Sequence, residues 1–219
     1  MAGPSAGDVS SSRGAPRGRY GVVVTTRAVV LPATPLLVPG AAGRARVLDA
    51  ARRAALDGLA GLPADRPVVV VGAGTREEGV ESAPATASLA AAGVADAWLD
   101  PAWTQPAGLD PEGTGREVVG PAGVGASVAL LALGATGRRA GVEVVELGDA
   151  VDPADARALG VALRGRGVGL VVADDPRRPA LAAVLDGFVD AAWERERTTS
   201  RVDASPDGAA YEVVRYLTR

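Results

Sequence analysis

The sequence predicts an α/β protein, a three-layer sandwich of helices around a mostly parallel sheet, with a mixed sheet as the variant. Two observations carry this expectation. Val clusters at 22–24 and 29–30 mark a first strand, and the apolar runs 67–71 and 168–172 read as strands buried on both faces, the pattern of a covered parallel sheet. Between them lie segments with apolar residues at helical spacing, and strands alternating with helices build a sheet covered on two sides.

In chain order, residues 21–31 read as the first strand, and 32–39 (Pro-Ala-Thr-Pro-Leu-Leu-Val-Pro) as a proline-punctuated turn. A helix is predicted over 42–59. Val47, Leu48, Ala51, Ala55 and Leu59 form its apolar stripe, Arg46, Asp49, Arg53 and Asp57 line the opposite face, and Gly61 and Pro63 end it. Residues 67–71 are the second strand and 72–84 a polar loop, followed by a short Ala-rich helix and a strand at 94–99. Residues 100–119, rich in Pro, Gly, Asp and Glu, read as a surface excursion.

An apolar helix follows near 124–133, with Val124, Val128 and Leu131 on one stripe, and then a strand at 142–147. Asp152-Pro153-Ala154-Asp155 opens the next helix with a cap acceptor, a proline and an acid in the first turn. After the strand at 168–172 comes a helix from Pro179, whose Leu181, Val184, Leu185, Phe188, Val189 and Ala192 share one face. Residues 194–197 read as a solvated helix end and 198–208 as a polar loop. Residues 211–217 read as a closing helix or strand.

At 219 residues the chain fits one domain, expected over 20–219 behind a small, polar, Pro/Gly-rich leader at 1–19 that reads as disordered. The leader lacks the apolar run of a signal peptide, so a cytoplasmic protein is expected. Residues 120–137 are uncharged, but their glycines favour a buried core helix over a membrane span. A net charge of −3 gives no reason to expect nucleic acid or an anionic membrane as partner.

Cysteine and histidine are both absent. Disulfides, thiolate nucleophiles and thiolate metal sites are therefore excluded, as are the usual general base near neutral pH and the commonest metal ligand. Any chemistry must use carboxylates, hydroxyls, arginine, tyrosine or backbone groups.

The expected site is the crevice outside the carboxyl ends of the strands, where Ala33, Thr34, Gly72, Gly74, Thr75, Asp174, Asp175, Arg177 and Arg178 are the candidates. Gly72-Ala73-Gly74 superficially resembles a dinucleotide fingerprint. The third glycine is replaced by Glu77, followed by Glu78, and two carboxylates repel a pyrophosphate, so a tight strand-to-loop turn is the better reading. Asp174 and Asp175, with Arg177 and Arg178 behind them, read as a helix cap with local ion pairs. The alternatives are a small carboxylate or phosphate site clamped by arginine, or an oxygen-ligand Mg²⁺ site. Arg76, Glu77 and Glu78 read as a solvated loop and Trp98 as core; Trp103 has no predicted place.

Several short pieces together resemble the class III extradiol ring-cleavage dioxygenases of the B-subunit-like type, in the small alanine-rich form common in actinobacteria. They are Leu31-Pro-Ala-Thr-Pro-Leu-Leu-Val-Pro39, Val68-Val-Val-Val-Gly-Ala-Gly74, Val171-Val-Ala-Asp-Asp175 with the arginines after it, and Ala210-Tyr-Glu-Val-Val214. The resemblance spans roughly residues 20–217 and implies the fold of that dioxygenase family. It also implies an iron held by two histidines and a late glutamate, with a further histidine as acid/base. Here Ala33 stands at the first ligand's place, Gly72, Ala73, Gly74 and Thr75 occupy the second ligand's loop, and Pro176, Arg177 and Arg178 stand near the base.

A two-histidine-one-carboxylate centre cannot be assembled without histidine, and arginine stays protonated at any working pH. The expectation is a dioxygenase-like protein without the iron site and with no catalytic residue assigned. It would act as a binding or interaction protein for a small molecule or protein partner, with a homo-oligomer open to it. No cofactor is expected. The alternative is a carboxylate-based, Mg²⁺-assisted hydrolase using Asp174 and Asp175.

Overall fold

The computed structural model describes residues 24–74, 79–83, 85–104, 120–175, 177–202 and 210–219. The elements run β1 (Thr25–Pro32), α1 (Asp49–Ala60), β2 (Val68–Ala73), β3 (Val80–Ala83), β4 (Ala85–Thr86), the single turn α2 (Pro101–Thr104) and β5 (Gly120–Pro121). They continue through α3 (Val124–Ala135), β6 (Val142–Leu147), α4 (Pro153–Gly165), β7 (Gly169–Asp174), α5 (Pro179–Phe188), β8 (Glu194–Arg201) and β9 (Ala210–Thr218). The leader at 1–19 and the start of the expected first strand at 21–23 lie outside the described residues.

Seven strands form one sheet in the order β3-β6-β2-β7-β1-β9-β8, and β4 and β5 pair separately. The four central strands are parallel, β2 to β6, β2 to β7 and β1 to β7, while β3, β9 and β8 run antiparallel to their neighbours. The sheet is therefore mixed, parallel only at its centre. Its strands alternate as the pleat requires. Val29, Leu31, Val68, Val70, Val144 and Val171 face one layer, with α1 and α3. Ala28, Val30, Val69, Val71, Val145, Leu170 and Val172 face the other, with α4 and α5.

α3 is buried almost all round, as the uncharged stretch predicts, and no helix among the described residues is long and apolar enough to cross a membrane. α4 and α5 touch through two glycines. A methyl on Gly160 would overlap the Val184 carbonyl, and one on Gly187 the Arg157 carbonyl, so the helix backbones meet where only glycine fits.

Several expectations are corrected. The helix expected over 42–59 begins at Asp49, because Leu48 takes a left-handed conformation (φ 56°) and residues 41–44 are turns. Arg52 holds that entry, donating from Nε to the Leu37 carbonyl at 2.7 Å and from Nη2 to that of Val47 at 3.1 Å. The polar loop expected over 72–84 is in part strand. β2 continues through Gly72 and Ala73, and Val80–Ala83 adds an edge strand whose backbone pairs with β6, leaving Val80 exposed.

The short Ala-rich helix is a 3-10 turn at Ala90–Ala92, and the strand expected at 94–99 is a second such turn at Asp96–Trp98. Val94 and Leu99 are buried as anchors on either side of it. Their spacing satisfies a turn as well as a strand. Trp98, expected in the core, is 64% exposed, and Trp103 is the buried one at 6%.

Residues 194–201, expected as a helix end and the start of a polar loop, form strand β8. Its alternating charges pair across to β9 and the residue after it, Glu196 with Arg215, Arg197 with Glu212 and Glu194 with Arg219. α5 stops at Phe188, so Ala192 lies beyond it and is exposed. Of the expected excursion, residues 105–119 lie outside the described residues.

Candidate functional site

The parallel strands deliver their last residues to one edge of the sheet. β1 ends beside β7, where the Ala33 N–H continues the ladder to the Asp174 carbonyl at 2.9 Å. Thr34 follows and caps the 3-10 turn Pro35–Leu37, its hydroxyl accepting from the Leu36 N–H at 3.4 Å. Both residues are half-buried. They shape the edge rather than offer reactive groups.

The first turn of α3 fills one side of this edge. A Cβ on Gly125 would lie 3.0 Å from that of Ala33 and 3.2 Å from that of Ala173, and one on Gly72 would lie 3.0 Å from that of Ala126. Gly72 is thus a packing position, and this half of the expected crevice is filled by protein. Gly74 donates to the Leu147 carbonyl at 2.8 Å, extending the ladder toward β6. Thr75, Arg76, Glu77 and Glu78, including the position where a fingerprint glycine is missing, lie outside the described residues.

The other side is open. A groove of ≈ 680 Å³ runs from Ala73 and Leu147 between the entry to α4 and the entry to α5. Asp152 caps α4, accepting from the Ala154 N–H at 2.6 Å as its sequence context predicts. α5 has no such cap. Arg178 occupies its cap position, makes no capping bond, and pairs instead with Asp149. The cap expected from the aspartates is thus corrected, because Asp175 turns onto its own loop. Its Oδ1 accepts from the Arg177 N–H and Nε, both at 3.0 Å, and its Oδ2 from Nη2 at 2.9 Å.

The two neighbouring aspartates differ in character. Burial raises the Asp174 carboxyl above its ordinary range, with the charges of Asp175 and Glu212 adding to the effect. Arg177 lowers that of Asp175 through its side-chain hydrogen bonds.

Sequence reading missed Glu146 and Asp149. Glu146 sits on β6 opposite Glu81, half-buried, and its Oε1 accepts from the Gly123 N–H at the head of α3 at 2.5 Å. Burial raises its carboxyl, the Gly123 bond opposes this, and Glu81 adds to it. The signal was present: Glu146 stands at the end of the well-predicted strand 142–147 and Asp149 two residues beyond it, where the sheet delivers both to the same edge.

The donor set does not fit the iron implied by the resemblance. Ala33 offers no ligand, Gly72 to Gly74 offer none, and no group of three or more metal-capable side chains is gathered among the described residues. The Mg²⁺ alternative meets a second obstacle, since both oxygens of Asp175 already serve Arg177. The fold and edge thus define an α/β protein whose open carboxyl-edge groove is lined by arginine, aspartate and helix starts. No protein-family model matches the chain, and no curated protein matches it.

Proposed function

We propose that this chain is a non-catalytic binding protein on an extradiol-dioxygenase-like scaffold without the iron centre, and that it takes a small carboxylate or phosphate in the groove between α4 and α5. One observation carries the reading: Arg177 and Arg178 stand beside the uncapped start of α5, on the open side of the edge. Guanidinium forks suit planar and tetrahedral oxyanions, and the positive end of the α5 dipole favours negative charge. Asp175 and Asp149 hold the two arginines in the meantime, so an incoming anion exchanges one carboxylate partner for another.

Titration of the full chain with inorganic phosphate and with succinate, followed by melting temperature and calorimetry, tests it. Saturable binding that Arg178→Gln weakens tenfold or more supports the proposal. A flat response to both anions defeats it. The hydrolase reading requires instead a stoichiometric Mg²⁺ that is lost in the Asp174→Ala/Asp175→Ala double variant.

A further inference from the structure

A second cavity lies on the opposite layer, away from the groove and sharing no residue with it. It measures ≈ 150 Å³ and sits between the last turns of α3 and strand β6. Trp103 on α2, Leu130 and Leu133 on α3, and Val142 and Val144 on β6 are among its walls. Trp103, Leu130, Leu133 and Val144 are each at most 7% exposed, whereas Thr86 and Asp96 are exposed and mark the open side.

We infer that this cavity is a binding site for a small neutral molecule of single-ring size, its apolar body against Trp103 and any polar substituent toward Asp96. Size sets the class: about 150 Å³ admits a benzene-sized guest, and the space has an apolar side at Trp103, the leucines and the valines and a polar side at Thr86, Asp96, Thr104, Arg138 and Arg139. Charge sets the neutrality. Arg138 and Arg139 line the space opposite Asp96, so both signs of charge are present and neither alone selects an ionic guest, and the Arg138 guanidinium is directed at the Leu62 carbonyl, at 3.3 Å, and at the Arg66 carbonyl. The empty volume is not imposed by crowding. A Cβ on Gly134 would meet nothing closer than the Trp103 carbonyl at 3.7 Å, so a side chain can start into the space from a position where the chain carries none. Unfilled space of this kind forfeits dispersion contacts that a guest restores.

Benzene and indole are the probes, used on the full chain in a Trp98→Phe/Trp193→Phe background that leaves Trp103 as the reporter. The expected result is a saturable rise in melting temperature and a saturable change in Trp103 emission. Gly134→Leu, which fills the space, should weaken both at least tenfold while leaving the unliganded melting temperature level or higher. Should that variant fail to fold, Leu130→Phe fills the cavity from the preceding turn of the same helix. Absence of any saturable response in the parent chain overturns the site, as does undiminished binding in a folded cavity-filled variant.

Discussion

Arg177 folds back over Asp175 and engages both carboxylate oxygens, at 3.0 and 2.9 Å, two residues along the same loop. The pair gives the loop after β7 its own closed electrostatics. Asp174, the residue before it, is raised by burial rather than lowered by a cation. The two aspartates therefore respond oppositely to pH.

Asp174 carries a raised carboxyl pKa, so the folded state holds its proton more tightly than the unfolded chain does. Its favourable contribution is complete below the unfolded value of about 3.9 and is lost as pH rises through the folded value. Asp174→Asn should consequently raise stability at pH 7 and change it little at pH 3. Urea unfolding at the two pH values measures the difference, and an equal effect at both would contradict the assignment.

Asp175 behaves in the opposite sense. Arg177 lowers its pKa, so its contribution is present above about pH 3.9 and lost as pH falls through the folded value. Arg177→Gln should remove that acid-side dependence and shift the Asp175 carboxyl upward in an NMR titration. Arg177 is solvent-exposed, so the effect on neutral stability should be slight.

Glu146 separates charge from hydrogen bonding. Glu146→Gln keeps an acceptor for the Gly123 N–H and removes a half-buried charge facing Glu81, so it should raise melting temperature at pH 7. Glu146→Ala leaves that N–H without its partner and should cost about 1–3 kcal/mol. Denaturant unfolding of the two variants, side by side, reads the contrast.

Arg52 ties the loop after β1 to α1 through carbonyls that no other side chain reaches among the described residues. Arg52→Met should cost about 2–3 kcal/mol, the scale of hydrogen bonds made by a charged donor. Arg52→Lys should recover only part of that, because an ammonium cannot reproduce the fork. Equal stability of the lysine variant and the parent would show that the fork is not what holds the loop.

Gly160→Ala and Gly187→Ala should each cost about 1–3 kcal/mol or more, since the added methyl meets backbone rather than a yielding side chain. Thermal melts of the two variants test the closeness of α4 and α5 directly.

Sequence alone determined the alternating plan, the strand at 142–147, the Asp152 start of α4 and the buried character of α3, because each rests on local periodicity or local capping. It also determined that no imidazole or thiolate chemistry is open to the chain. Tertiary structure decided what depends on neighbours distant in the chain. Glu194 to Arg201 became a strand because β9 supplies its ladder and its countercharges, and Trp98, expected in the core, is exposed because a turn, not a strand, joins Val94 to Leu99. The open half of the site was decided the same way: Gly72 and Ala33 lie under the head of α3, while Arg178 and Asp149 meet across a groove between two loops. Periodicity reports which face of an element is apolar, but which element covers that face is settled only when the sheet brings distant segments side by side.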